Sequence, residues 1–165
     1  MATSRSTPTT VPDPAMDTPV PEDRLHVVVG VIADSRGRLL IQQRRPGTPK
    51  AGQWEFPGGK VEPGESPGFA LASELEEELC IEDAVSTPLA KIRHDYDHAR
   101  VWLDTRLVTS FHGQARGREG QSVAWVHVEE ILWFDVLEAV HPILAAYKRT
   151  SRRQEEDGSG GSRTG

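Results

Sequence analysis

The stretch that decides the reading is Gly58–Ile81, "GGKVEPGESPGFALASELEEELCI". It opens on a glycine pair, crosses a Pro/Gly-bearing loop and ends in a dense acidic segment, Ser73–Cys80. Ser66 suits a helix N-cap and Pro67 the first helical position, where its missing N–H costs nothing. A helix to about Leu79 is therefore predicted. On it Glu74, Glu77 and Glu78 stand at i, i+3 and i+4 and share one face. Leu71, Leu75 and Leu79 form the neighbouring stripe, the side expected to pack on a sheet, while Glu76 points away from both. Carboxylates crowded in this way repel one another and take up protons unless a cation is supplied. Hard divalent ions such as Mg2+ prefer carboxylate oxygens together with substrate phosphates, and glycine carbonyls just upstream offer further oxygen ligands.

Outward from this segment the chain alternates between two periodicities. "HVVVGVI", 26–32, is β-branched and continuous, as a buried strand should be. Turn chemistry at 34–37 leads into "RLLIQQRR", expected to complete a hairpin with it. After a loop over 44–52, "WEF" at 54–56 reads as a short strand stopped by Pro57-Gly58-Gly59. Beyond the acidic helix, "LAKIRHDY" and "ARVWLDTRLVTSF" are consecutive strands, with 94–100 as the turn region. "SVAWVHV" is a later strand, Glu129 starts a helical turn, and "PILAAYKR" closes the domain as a helix with Pro142 in its first turn. Together they predict an α/β domain, an α/β/α sandwich with a mixed central β-sheet.

A chain of 165 residues suits one domain. Residues 1–23, rich in Thr, Pro and Ser, and 150–165, polar and Gly/Ser-rich, bury too little to offset the entropy of ordering them. They are expected to be disordered tails around a folded domain at 24–149. A formal net charge of −6 argues against a nucleic-acid polymer or an anionic membrane as partner. No apolar run approaches a membrane span, and no signal-peptide core precedes the domain. The single cysteine excludes an internal disulfide and fits a reducing compartment. The expectation is a soluble, cytoplasmic monomer or small homo-oligomer.

Gly58–Ile81 resembles the Nudix box: a glycine, five residues, a glutamate, seven residues, then Arg-Glu-aliphatic-any-Glu-Glu-any-Gly-aliphatic. Gly59 and Glu65 stand at the first two marks, and Glu74, Leu75, Glu77, Glu78 and Ile81 fill later ones. "WEFPGGKVEPGE", the "GREGQ" at 117–121 and the Pro-headed last helix are similar to the MutT branch, so the resemblance spans about His26–Lys148. It implies Mg2+- or Mn2+-dependent hydrolysis of a nucleoside triphosphate, 8-oxo-dGTP or a related nucleotide, to the monophosphate and pyrophosphate. That is nucleotide-pool sanitation. It further implies that Glu77 and Glu78 hold metal and that Glu74 is a ligand or the base activating water. Glu74 and Glu77 are thus the catalytic candidates. The Gly58 carbonyl and Glu119 are further metal candidates, and Glu65 supports the cluster. Arg45 is the implied phosphate contact, with Lys60 for the same task, and Phe56 and Glu55 belong to the base pocket.

The chain departs from the pattern at three places. The box arginine is Ser73, which can neither counter the charge of Glu77 one turn on nor orient it. The box glycine is Cys80, where a left-handed C-cap costs a residue with a Cβ roughly 1 kcal/mol or more. The position at which MutT reads the oxidised purine with an asparagine is Val140, which has no amide. A branch acting on CTP or other pyrimidine nucleotides is therefore an alternative substrate reading. A catalytically weakened nucleotide-binding module is an alternative of another class, opposed by the survival of every box glutamate. His94, His98 and His141 lack a metal-ligand spacing.

Overall fold

The computed structural model describes residues 9–11 and 19–158. Its strands are β1 (Thr9–Val11), β2 (Leu25–Ile32), β3 (Leu39–Gln43), β4 (Trp54–Glu55), β5 (Gly58–Lys60), β6 (Glu82–Asp95), β7 (Arg100–His112) and β8 (Val123–Val126). Helix α1 (Pro67–Leu79) lies between β5 and β6, and α2 (Val140–Gly158) ends the described chain. A short 3-10 helix, Val128–Trp133, precedes α2.

Two sheets form. The larger has the order β1-β6-β7-β2-β5, and it is mixed because β2 runs parallel to β7 while its other pairs are antiparallel. The smaller, β4-β3-β8, is antiparallel. Successive side chains of β2 alternate between faces. Val29 and Val31 join one apolar cluster with Val140, Ile143 and Leu144 of α2. Val28 and Ile32 join a second with Leu71, Leu75 and Leu79 of α1. A helix thus covers each face, as the α/β/α expectation requires.

The expected hairpin of the first two strands is not what forms. Asp34 accepts from the backbone N–H groups of Arg36 and Arg38 and closes a tight turn. Beyond the bridge Ala33–Leu39 the two strands part. Both edges of β2 are taken, by β7 and β5, so β3 pairs instead with β8 and β4. Leu39 and Ile41 face one apolar cluster and Leu40 the other, so β3 too lies between the layers.

The glycine pair is also not a stop. Gly58–Lys60 is itself a strand, pressed so closely on β2 that a Cβ at Gly58 would collide with the Val28 carbonyl oxygen. Helix α1 follows the sequence expectation: the Ser66 hydroxyl accepts from the Phe69 N–H at 3.2 Å, and Leu71, Leu75 and Leu79 are buried. It ends on Cys80 at φ 59°, a left-handed cap made without glycine.

Structure extends past both expected domain boundaries. Thr9–Val11 pairs antiparallel with Lys91–Arg93 of β6, at an edge that offers unpaired backbone groups. Helix α2 continues through "TSRRQEEDG", whose Arg, Gln and Glu are good helix formers although the segment buries no apolar side chain. The other parts of the expected tails, 1–8, 12–18 and 159–165, lie outside the described residues.

Candidate functional site

Helix α1 lies alongside β5 and brings its acidic face to the glycine pair. A Cβ at Gly59 would overlap the Glu74 carboxyl, so the missing side chain is what lets that group lie against the strand. Glu74 and Glu78, one turn apart, are half-buried and act directly on each other. Burial first, and then the charge of Glu74, push the Glu78 carboxyl up to about 7. Glu74 is also raised, by burial and by the charges of Glu77, Glu65 and Glu119. Glu77 and Glu76 are exposed. Glu65 turns back on its own loop, accepting from the Glu62 N–H at 2.9 Å, and so fixes the approach to α1.

A second segment crosses the end of this helix. The Arg118 N–H and the Gln121 amide both donate to the Glu78 carbonyl, and the Arg116 N–H donates to that of Leu79. These bonds use carbonyls that the helix end leaves open. They also set Glu119 beside the loop that follows β3, where it pairs with Arg45 at 2.8 Å. Both side chains are about half exposed, a state in which such a pair exchanges partners at little cost.

Two cavities meet at this place. The polar one, about 180 Å³, is lined by Gln42, Arg45, Glu78, Glu119 and Gln121 among others. The apolar one, about 440 Å³, lies under the start of α2 and takes its walls from Val27, Val29, Phe56, Leu137 and Val140, with Lys60 at its edge. Arg44, Glu55 and Gly58 line both. Arg44 grips both oxygens of Glu55 at 3.0 and 3.3 Å and donates to the Pro49 carbonyl at 2.6 Å. Burial raises the Glu55 carboxyl above its ordinary value, against the opposing pull of Arg44.

Among the described residues no three His, Cys, Asp or Glu side chains form a ready-made ion cage. The chemistry of the donors nevertheless fits a hard divalent cation, because every candidate offers oxygen. The raised carboxyls of Glu74 and Glu78 mark where positive charge is wanted. Gln42 Oε1, buried in the wall of the polar cavity, finds no hydrogen-bond partner among the described residues.

Most of the sequence candidates fall into two groups, whereas Glu65 and Glu77 line neither cavity. Gly58, Glu78, Glu119 and Arg45 share the polar cavity, with Glu74 acting on Glu78. Glu55, Phe56, Lys60 and Val140 line the apolar one. Sequence reasoning missed Arg44 and Tyr96. The doublet Arg44-Arg45 was a signal for the first, whereas nothing local marked Tyr96 as lining a cavity.

The sequence matches the NUDIX domain over residues 24–154. It is 38% identical over 120 residues to the CTP pyrophosphohydrolase of Escherichia coli, a match covering 73% of this chain and 89% of that protein. It is 31% identical over 126 residues to the 8-oxo-dGTP diphosphatase of the same organism, covering 76% of this chain and 98% of that protein. Among solved structures, that of the E. coli ORF135 protein aligns with a TM-score of 0.68 at 36% identity, covering 77% of this chain and 90% of the other.

Proposed function

From the premise that this chain belongs to the NUDIX family, we propose that it is a nucleotide-pool hydrolase that cuts a nucleoside triphosphate to the monophosphate and pyrophosphate. The observation that carries this reading is the meeting of two unlike cavities at Arg44, Glu55 and Gly58. The apolar one has the size and lining of a small-molecule site and suits a nucleobase. The polar one joins a guanidinium to clustered carboxylates and suits phosphates with their counter-ion.

In this reading Arg45 exchanges Glu119 for phosphate oxygens, and Lys60 adds charge at the rim. Phe56 and Val140 hold the base, with Glu55 at its edge. Glu77, Glu78, Glu119 and the Gly58 carbonyl hold Mg2+ or Mn2+, and Glu65 steadies the cluster. A divalent cation held there would neutralise the triphosphate and acidify a water for in-line attack. Glu74 or Glu77 takes the proton of that water. No covalent enzyme intermediate is needed, so Cys80 is no nucleophile.

Two substrates have support: one relative is named for CTP and another for 8-oxo-dGTP, and Val140 lacks the amide that would favour the oxidised purine. The lone cysteine and the negative net charge support a cytoplasmic monomer or small homo-oligomer. Among the described residues no helix is long and apolar enough to cross a membrane.

The test is pyrophosphate release from 8-oxo-dGTP, dGTP, CTP and a nucleoside-diphosphate sugar with Mg2+ or Mn2+. Turnover of one triphosphate is expected, falling by on the order of 10²-fold or more in Glu77→Gln. Nucleotide binding without any turnover would favour the binding module.

A further inference from the structure

The apolar cavity has a polar side. Val140 brings no hydrogen-bonding side chain to it, but Arg44, Glu55, Tyr96 and His98 all line it. Arg44 and Glu55 hold each other, and His98 is exposed. Tyr96 is fixed more firmly. The His94 ring meets it edge-on with centroids 4.4 Å apart, and the His98 ring stacks on it at 5.4 Å. His94 is itself tied to Glu138 at 3.1 Å. The backbone groups of Tyr96 and Ala99 bond each other across the β6–β7 turn. The Ala139 backbone lies near the Tyr96 hydroxyl and favours its charged form, against the effect of burial. A phenol hydroxyl so placed has its own proton to give.

We propose that Tyr96 is a specificity-determining residue, its O–H donating to a carbonyl oxygen or ring nitrogen of the nucleobase seated in the apolar cavity. The proposal rests on the nucleotide reading of that cavity. Burial, followed by the charges of Glu55 and Glu138, pushes the phenol up to about 12, so the group is a donor at any working pH. Glu55 lines the same cavity and brings an acceptor to it. A donor beside an acceptor matches a base edge on which an acceptor and an N–H lie next to each other, as in an amide or amidine. A base meeting only the apolar walls gains nothing from either group. A built polar pair discriminates more sharply than an apolar wall, because a wrong base leaves it unpaired.

The experiment compares the full chain with Tyr96→Phe, which keeps the ring and both ring contacts. Calorimetry with a panel of nucleoside monophosphates reads binding. Turnover of the triphosphates, and of inorganic tripolyphosphate as a probe without a base, reads chemistry. The native chain is expected to prefer one base. In Tyr96→Phe that monophosphate weakens about 10-fold and the others less than two-fold, with KM raised and kcat held within two-fold. Equal weakening of the whole panel together with tripolyphosphate would assign the hydroxyl a structural role and overturn the proposal. An unchanged panel, or a native chain without base preference, would overturn it as well. Selective binding lost in Tyr96→Phe, with no triphosphate hydrolysed, would sink the hydrolase reading and leave the hydroxyl's role standing.

Discussion

The acidic face of α1 and the apolar cavity meet at Gly58, yet they are assembled in opposite ways. The first comes from one helix, where Glu74 and Glu78 are neighbours because a helical turn makes them so. The second takes walls from β2, the β4–β5 segment, the β6–β7 turn and the start of α2. Position is therefore local on the acidic side, and so is part of the charge: burial first, then Glu74 one turn away, and only after them Glu119 raise the Glu78 carboxyl. On the cavity side even position is non-local. Damage to one half should accordingly read out as chemistry and damage to the other as binding and stability.

The largest effect expected is on the cavity side. Phe56 is 3% exposed in the cluster that joins the larger sheet to α2, so Phe56→Ala should cost about 3–5 kcal/mol by denaturant unfolding. An unchanged midpoint would show the two halves to be independent of the core. Next is Gly59→Ala, whose new methyl must displace the Glu74 carboxyl. Turnover should drop by on the order of 10²-fold while monophosphate binding in the cavity holds within a few-fold. Equal loss of both would break the division of labour. Ser73→Arg restores a cation one turn before Glu77, on a helix with no base in its last turn. The metal concentration for half-maximal rate should fall about two- to five-fold; no change would remove Ser73 as the reason for a loosely fixed cluster.

The two smallest effects are on stability. Glu78 binds its proton more tightly folded than unfolded, with its carboxyl at about 7 against 4.5. Metal-free protein should therefore be most stable below about pH 4.5 as far as this group is concerned, losing that stability as pH rises through 7. After discounting for a half-open, water-screened site, the difference between pH 5.5 and 8 is about 1 kcal/mol. Melting at the two pH values, with and without Mg2+, measures it, and saturating cation should abolish the trend. Cys80→Gly relieves a left-handed cap at φ 59° but gives up the Arg118–Sγ contact at 3.2 Å. A net gain of about 0.5–1 kcal/mol is expected from urea unfolding. A loss would mean that the Arg118 contact outweighs the strain.

What could be read in advance follows the same division. Ser66, Pro67 and the spacing of Leu71, Leu75 and Leu79 sufficed for α1, because caps and a buried stripe are short-range signals. The hairpin of β2 and β3 was misjudged because the turn at Asp34 is real, and only the partners β7 and β5 decide that β3 goes elsewhere. Gly58 and Gly59 looked like a stop, since nothing local reveals that a strand lies too close for a Cβ. Tyr96 looked like the end of a strand; it acquires meaning only where Glu55 and Ala139, from distant parts of the chain, line one cavity with it.

By itself, the sequence determined the acidic helix, its caps and the family, because these reside in periodicity and in residues within a few turns of one another. Tertiary structure alone decided how far burial raises the Glu78 carboxyl, that Glu119 faces Arg45 and that Tyr96 lines the cavity. Each of those depends on groups many residues apart being brought out of water together, and no local pattern encodes that.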